Sequence, residues 1–383
     1  MKRIAKVAVG LVVVVVLAVG ALMLPAVQTW LVVINLPDFP DWPEAREQLD
    51  ASDAGEIYFR TQSPFDLEVI LAGKRGVETT GLGWLTFPDE KREKPMPAMV
   101  ILPGSGGIKP GREHEYATFL NDLGIAAFVI EYYLPRGLDE DVAYLIRTGS
   151  VTEFDLISDA YAALTLLASH PAIDGDRIGV VGFSYGGMAA RLAMDDRIRE
   201  SLTPDHPGFS AHIDVYGPCF QNLGTEKTNG APLLTLRGTE DASNDLKACG
   251  QREDELRALG VDVEAIVYDG AGHAWENSQP RFFSEQSPYV QGCEWGYDDK
   301  GVPLVNGERL VSYDGDVSRP ARIAARLRLG ARLTDCVRYG YIIGRDEETR
   351  DKAFADAARF LRQHLQTNAE GSQAMPSGYM EEN

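Results

Sequence analysis

Two kinds of hydrophobic pattern alternate along this chain. The first is a short, nearly unbroken apolar run: Met99–Leu102, Ala126–Ile130, Arg177–Val181, Ile213–Tyr216, Pro232–Arg237 and Val263–Tyr268. Runs of this length predict strands covered on both faces. The second is a longer segment with apolar residues three and four positions apart, as in Phe154, Ile157, Tyr161, Leu164 and Ala168 of segment 153–168. That spacing predicts amphipathic helices there and at 113–123, 244–259 and 351–365, the second closed by Gly124 as a C-terminal cap. Strands alternating with helices predict an α/β class with a mostly parallel, doubly wound sheet and helices on both faces. Its site belongs at the carboxyl ends of the strands. Ahead of this core, which begins at Ala98, Glu68–Leu71 and Gly83–Phe87 suggest an antiparallel hairpin, and Asp89–Pro97 a charged loop.

The N-terminus departs from both patterns. Lys2, Arg3 and Lys6 precede an apolar run over residues 7–27, interrupted only by Pro25. That is about the 20 residues of a bilayer-spanning helix and longer than a signal peptide's apolar region. Trp30–Ile34 extend the run, and Asp38, Asp41 and Glu44 follow. The reading is an uncleaved signal-anchor with its basic end in the cytoplasm and the rest of the chain extracytoplasmic. A cleaved secretory signal is the alternative. The resulting organisation is a signal-anchor or transmembrane helix over 1–35, a linker over 36–60, an α/β domain over 61–365 and a polar tail over 366–383. An insertion at about 275–345 interrupts the domain; it is too long for a routine loop. Its aromatic residues form either a small core of their own or contacts to a bound molecule.

Chemistry enters at Gly182-Phe183-Ser184-Tyr185-Gly186, between a strand pattern and a small-residue helix start. That context is the strand–turn–helix of a nucleophile elbow. A histidine orienter belongs just past a strand end; after the buried strand Pro232–Arg237, Asp241 fits, with Glu240 and Asp245 as fallbacks. His273, in a glycine-rich loop after the following strand, completes the order serine, acid, histidine. The expected roles are Ser184 as nucleophile, His273 as general base and Asp241 as orienter. An oxyanion hole needs the N–H of Tyr185 and a second donor from the loop after Met99–Leu102, where Ser105 is the first choice and Gly106 the next.

Composition narrows the class. A chain of 383 residues with 44% hydrophobic content builds a sizeable core, and a net charge of -20 excludes nucleic acid as a partner. None of the six histidines pairs with another at ligand-like spacing, so no metal or other cofactor is expected. Asp139-Glu140-Asp141 reads as a solvated loop. Four cysteines in an exported chain permit two disulfides, with Cys219–Cys249 the preferred first pair and Cys293–Cys336 the second; four free thiols are the alternative.

Several of these motifs together carry a family resemblance. Leu102–Gly107, Leu134–Gly137, Asp159–Leu164, His170–Asp174, the Ser184 elbow, Tyr216–Cys219, Gly238–Asp241 and His273 resemble the dienelactone hydrolase family of the α/β-hydrolase superfamily. The likeness runs from about residue 55 to 365 and is greatest to secreted or envelope-attached serine members. It implies the α/β-hydrolase fold and cleavage of a carboxylic ester or lactone. Three positions depart from the family: Ser184 stands for a cysteine, Pro103 for a histidine and Glu131 for an aspartate. Arg136 lies in a shared motif and either clamps a substrate carboxylate or ties two loops together. Tyr132 and Trp275 are further candidates for substrate contact. An amidase or peptidase of the same fold, or an inactive envelope binding protein, are the competing classes.

Overall fold

The computed structural model describes residues 25–89, 94–309, 317–333 and 335–365. Its centre is an eight-stranded sheet of β1 (Gly55–Ser63), β2 (Val77–Thr86), β3 (Met96–Leu102), β4 (Ala126–Glu131), β5 (Ile173–Phe183), β6 (His212–Val215), β7 (Leu233–Gly238) and β8 (Val263–Tyr268). The spatial order is β1-β2-β4-β3-β5-β6-β7-β8. Both pairings of β2 are antiparallel and all others parallel. This is the α/β-hydrolase type of sheet, mostly parallel and covered by helices.

The helices are α1 (Pro25–Ile34), α2 (Leu67–Leu71), α3 (Glu113–Asp122), α4 (Tyr144–Ser150), α5 (Glu153–Ala168), α6 (Tyr185–Leu192), α7 (Asp196–Leu202), α8 (Leu246–Ala258), α9 (Arg319–Arg332) and α10 (Glu347–His364). Alternation along the central strands feeds two cores. Val100 and Leu102 of β3 and Phe128 and Ile130 of β4 pack with α5 and α6. Met99, Ile101, Ala127 and Val129 pack on the other face with α3 and α10. Strands feeding two cores must be apolar throughout, which is why they read as unbroken runs. Helix α5 starts where its apolar period starts, because Thr152 and Asp155 form a reciprocal capping box.

The region before the core differs from expectation. The partner of β2 is β1, not residues 68–71, which form the short helix α2. The inward residues of β1 are Ile57, Phe59, Thr61 and Ser63. Two of the four are polar, so the alternation is faint; Thr61 is buried because its hydroxyl donates to Asp159 at 2.8 Å. Residues 36–60 are not a free linker either. Leu49 is buried, its N–H bonded to Ser169 Oγ at 2.9 Å, and Phe39 lies under the Arg319 guanidinium.

The insertion forms a ribbon of β9 (Phe282–Val290) and β13 (Val337–Ile343), a small sheet of β10 (Trp295–Tyr297), β11 (Pro303–Val305) and β12 (Glu308–Arg309), and helix α9. Cys293–Cys336 closes the ribbon's base, and Cys219–Cys249 ties the loop after β6 to α8. Helix α9 docks through three arginines: Arg319 on Asp155, Arg322 on Asp66 and Glu68, and Arg326 on Glu153. The apolar run predicted to span a membrane lies mostly outside the described residues. Among those described, no helix is long and apolar enough to cross one.

Candidate active site

Strand β5 ends at Phe183, and α6 begins at Tyr185. Ser184 joins them at φ 54° and ψ -116°, a strained conformation for a residue with a side chain. The turn is tight enough to demand glycine on both sides. A Cβ on Gly182 would lie 2.0 Å from Gly186 O, and one on Gly186 would lie 2.2 Å from Leu102 O. The Ser184 N–H donates to Val215 O at 2.9 Å, which fixes the elbow to β6.

The three predicted residues meet there. His273 Nε2 lies 2.9 Å from Ser184 Oγ, and His273 Nδ1 lies 2.6 Å from Asp241 Oδ2. With Nδ1–H donating to the carboxylate, Nε2 is left to accept from the serine hydroxyl. Asp241 and His273 are buried and Ser184 is half-buried. Asp241 also accepts from Ser243 N–H at 3.0 Å, from Ser243 Oγ at 2.5 Å and from Asn244 Nδ2 at 2.8 Å. The carboxylate is therefore fully partnered on the side away from the imidazole. The two fallback acids are engaged elsewhere: Glu240 pairs with Arg281, and Asp245 caps α8.

The imidazole is held by groups with no local sequence signal. It packs against the rings of Tyr216, 4.6 Å away and tilted, and Tyr341, 5.4 Å away and edge-on, centroid to centroid. Its backbone is bonded to the insertion: His273 N–H donates to Ile342 O and Gly344 N–H donates to His273 O. The insertion thus supports His273 rather than only neighbouring it.

The glycine-rich loop is braced from below. The hydroxyls of Tyr132 and Tyr133 donate to the carbonyls of Gly104 and Ser105 at 3.0 and 2.9 Å. Ser105 Oγ is bonded to the Tyr144 hydroxyl at 2.8 Å. Among the described residues, the N–H groups of Ser105 and Gly106 have no backbone acceptor. Tyr185 is the first residue of α6, so its N–H has no partner within the helix. Its hydroxyl donates to Glu153, which also accepts from Gln221 Nε2 at 2.7 Å and Arg326 Nη2 at 2.9 Å. Burial would raise the Glu153 carboxyl, but Arg326, Tyr185 and Gln221 hold it below its ordinary range.

Three candidates for substrate contact are placed otherwise. Arg136 is buried and spends its guanidinium on Asp159 at 2.8 and 3.0 Å, Ser63 Oγ at 2.8 Å and Tyr132 O at 2.8 Å. Four of its five N–H groups are engaged, so no donor pair remains for a substrate carboxylate, and it ties β1 to the loop after β4. Tyr132 is buried beneath the glycine-rich loop. Trp275 is buried in the core between the rings of Tyr216 and Tyr268. A tryptophan two residues after the base reads as a pocket wall, but the loop turns inward at Ala274, where φ is 53°. A separate cleft of about 250 Å³ between β1 and α5 is lined by Arg46, Arg60, Ser158 and Tyr161, and by none of the three catalytic candidates.

Comparison with known proteins assigns the family. The dienelactone hydrolase family pattern matches residues 83–300. A relative from Bradyrhizobium sp named "Probable 2-oxo-3-(5-oxofuran-2-ylidene)propanoate lactonase" is 26% identical over 188 residues, covering 47% of this chain and 73% of its own. A thiohydrolase of Eupenicillium brefeldianum is 25% identical over 207 residues, covering 52% and 61%. Among solved structures, a thermophilic esterase of Thermogutta terrifontis with bound propionate is 18% identical, covers 51% of this chain and 80% of its own, and superposes with a TM-score of 0.41. The chain belongs to the dienelactone hydrolase family and is a carboxylic ester hydrolase.

Proposed function

We propose that this dienelactone hydrolase family member cleaves a carboxylic ester or lactone through an acyl-enzyme on Ser184. As Ser184 Oγ attacks the acyl carbon, its proton passes to His273 Nε2. Asp241 holds the Nδ1–H tautomer and stabilises the imidazolium. The N–H of Tyr185, with that of Ser105 or Gly106, receives the oxyanion, aided by the positive end of α6. Collapse expels the alkoxide, which takes the proton from His273; in a lactone it stays tethered to the acyl group. Water, deprotonated by His273, then attacks the acyl carbon. The acid is released, and the proton returns to Ser184 Oγ.

The observation that carries this reading is the hydrogen-bonded line from Asp241 through His273 to Ser184, at 2.6 and 2.9 Å. The lactonase named among the relatives supports including lactones beside open esters. Short-chain aryl esters and a γ-lactone, tested with wild type and Ser184→Ala, decide it. Turnover lost in the variant, together with a serine-directed phosphonate on Ser184 of the wild type, is the expected result. Equal turnover by both proteins overturns it.

We infer further that the enzyme is held at a membrane by residues 7–27 with its catalytic domain on the extracytoplasmic side. The basic residues before the apolar run support this, as does the pairing of all four cysteines. Protease protection of the full chain in closed vesicles tests the orientation. Resistance of the catalytic domain in right-side-out vesicles would reverse it.

A further inference from the structure

A second buried acid lies close to His273 in the same loop. Glu276 follows His273 by three residues and is 1% exposed. Its Oε2 accepts from the Tyr216 hydroxyl at 2.7 Å, and the Tyr216 ring lies against the imidazole. Tyr216 is itself immobilised. It follows β6 at φ 42°, its N–H donates to Leu236 O at 2.8 Å, and its carbonyl accepts from Asn244 Nδ2 at 2.9 Å. Asn244 also bonds Asp241. One rigid tyrosine thus connects the second carboxyl to the catalytic line.

The charged groups around Glu276 do not neutralise it. Arg112, before α3, spends its guanidinium on Glu113 at 2.7 Å and on Gly107 O at 2.9 Å. Arg345, after β13, donates to the backbone carbonyl of Glu276 at 3.1 Å and pairs with Glu347. Tyr116 of α3 and Tyr268 of β8 add hydroxyls nearby, and His273 stands within Coulombic reach. Among the described residues the Glu276 carboxylate has no ion-pair partner. A buried carboxyl without a cation is costly, and glutamine or leucine would fill the space more cheaply.

We propose that Glu276 is a positioning residue for His273: through Tyr216 it holds the imidazole, and when ionised it places a second negative charge close to the base to stabilise the imidazolium formed as Ser184 attacks. The inference rests on the serine mechanism proposed for this site. Glu276 takes no part in the proton's path, which runs only between Ser184 Oγ, His273 Nε2 and the leaving group. Burial pushes the Glu276 carboxyl up to about 7, against the opposing influence of the Tyr216 hydroxyl, Arg112 and His273. The carboxyl therefore changes charge near neutral pH. Above that value the second charge is present; below it the charge is lost.

The test is the ratio of wild-type to Glu276→Gln kcat as a function of pH, measured on folded protein of matched melting behaviour. The ratio is expected to rise from near unity at about pH 6 to about tenfold at about pH 8.5. A residue that only packs would give a ratio that does not vary with pH, and that result overturns the proposal. Tyr216→Phe supplies a second variant that keeps the ring and removes the donor. Loss of that hydrogen bond disfavours the carboxylate, so the rise of kcat with pH is expected to move to higher pH. An unmoved profile in Tyr216→Phe likewise overturns the proposal. Ser184→Ala separates the two levels. Persistent turnover in that variant removes the serine mechanism itself, whereas a dead Ser184→Ala with a flat ratio removes only the role of Glu276.

Discussion

His273 and Ile342 are joined backbone to backbone, with the histidine N–H donating to the isoleucine carbonyl at 2.7 Å. His273 is therefore set in place by a strand that follows it at the far end of the insertion. Gly272 makes the approach possible, because a Cβ there would lie 2.6 Å from Ile342 Cγ2 and 2.8 Å from Ile342 O. Gly272→Ala must push β13 away from the catalytic loop. We expect kcat to fall by about tenfold or more with a smaller change in KM, since misplacing a base by a fraction of an ångström removes transition-state stabilisation. Steady-state kinetics on an aryl ester check this.

Arg136→Met tests the structural role of the buried arginine. The substitution leaves Asp159 charged and without its cation in the interior. A loss of about 3–5 kcal/mol in unfolding free energy is expected. Any residual activity should fall equally on neutral and acidic esters. Urea denaturation gives the first quantity, and paired kcat/KM measurements give the second. Selective loss on acidic esters would return Arg136 to the substrate.

The Glu153–Arg326 pair makes a pH-dependent contribution. The folded-state carboxyl of Glu153 lies below its ordinary range, so its contribution is present above the unfolded value and fades as pH falls through the folded one. In Arg326→Met the carboxyl loses its cation and takes up its proton at higher pH. Stability should drop by about 1–3 kcal/mol near neutrality, discounted for the partly exposed arginine. The acid loss of stability should also begin at higher pH than in the wild type. Thermal melts between about pH 3 and 7 read both effects.

The Cys219–Cys249 bridge closes a loop of 30 residues that contains β7 and Asp241. Replacing both cysteines with serine should cost about 3–4 kcal/mol on the loop-entropy argument. Melting should place the oxidised wild type highest, the oxidised double variant below it and the reduced wild type, which also loses Cys293–Cys336, lowest.

The parts legible in the sequence are those whose signals are local. Strands β3 and β4 feed two cores, so every position is apolar and the run is unmistakable. The Ser184 elbow needs glycines at fixed offsets, and the acid and the histidine follow in chain order after buried strands. The parts that are not legible depend on distant partners. Strand β1 buries Thr61 and Ser63 because Asp159 and Arg136 wait for them across the fold, and nothing near residue 61 announces this. The four residues Glu68–Leu71 are too few for periodicity to separate helix from strand. Ser243, Tyr341 and Glu276 reach the site through a turn, a late ribbon and an inward-turning loop. Trp275 and Tyr132 have the chemistry of substrate contacts and stand beside the motifs, yet both serve as interior packing beneath them.

The three arginines of α9 carry a consequence for the order in which the molecule assembles. Asp66, Glu68, Glu153 and Asp155 are gathered around the start of α5, and their cations come from a helix synthesised long afterwards. Arg319 is 164 residues beyond Asp155, and Arg326 is 173 residues beyond Glu153. Until α9 leaves the ribosome, four carboxylates must stay hydrated or repel one another. Packing beside the Ser184 elbow, where Arg326 reaches Glu153 and the Tyr185 hydroxyl, is therefore completed late in synthesis.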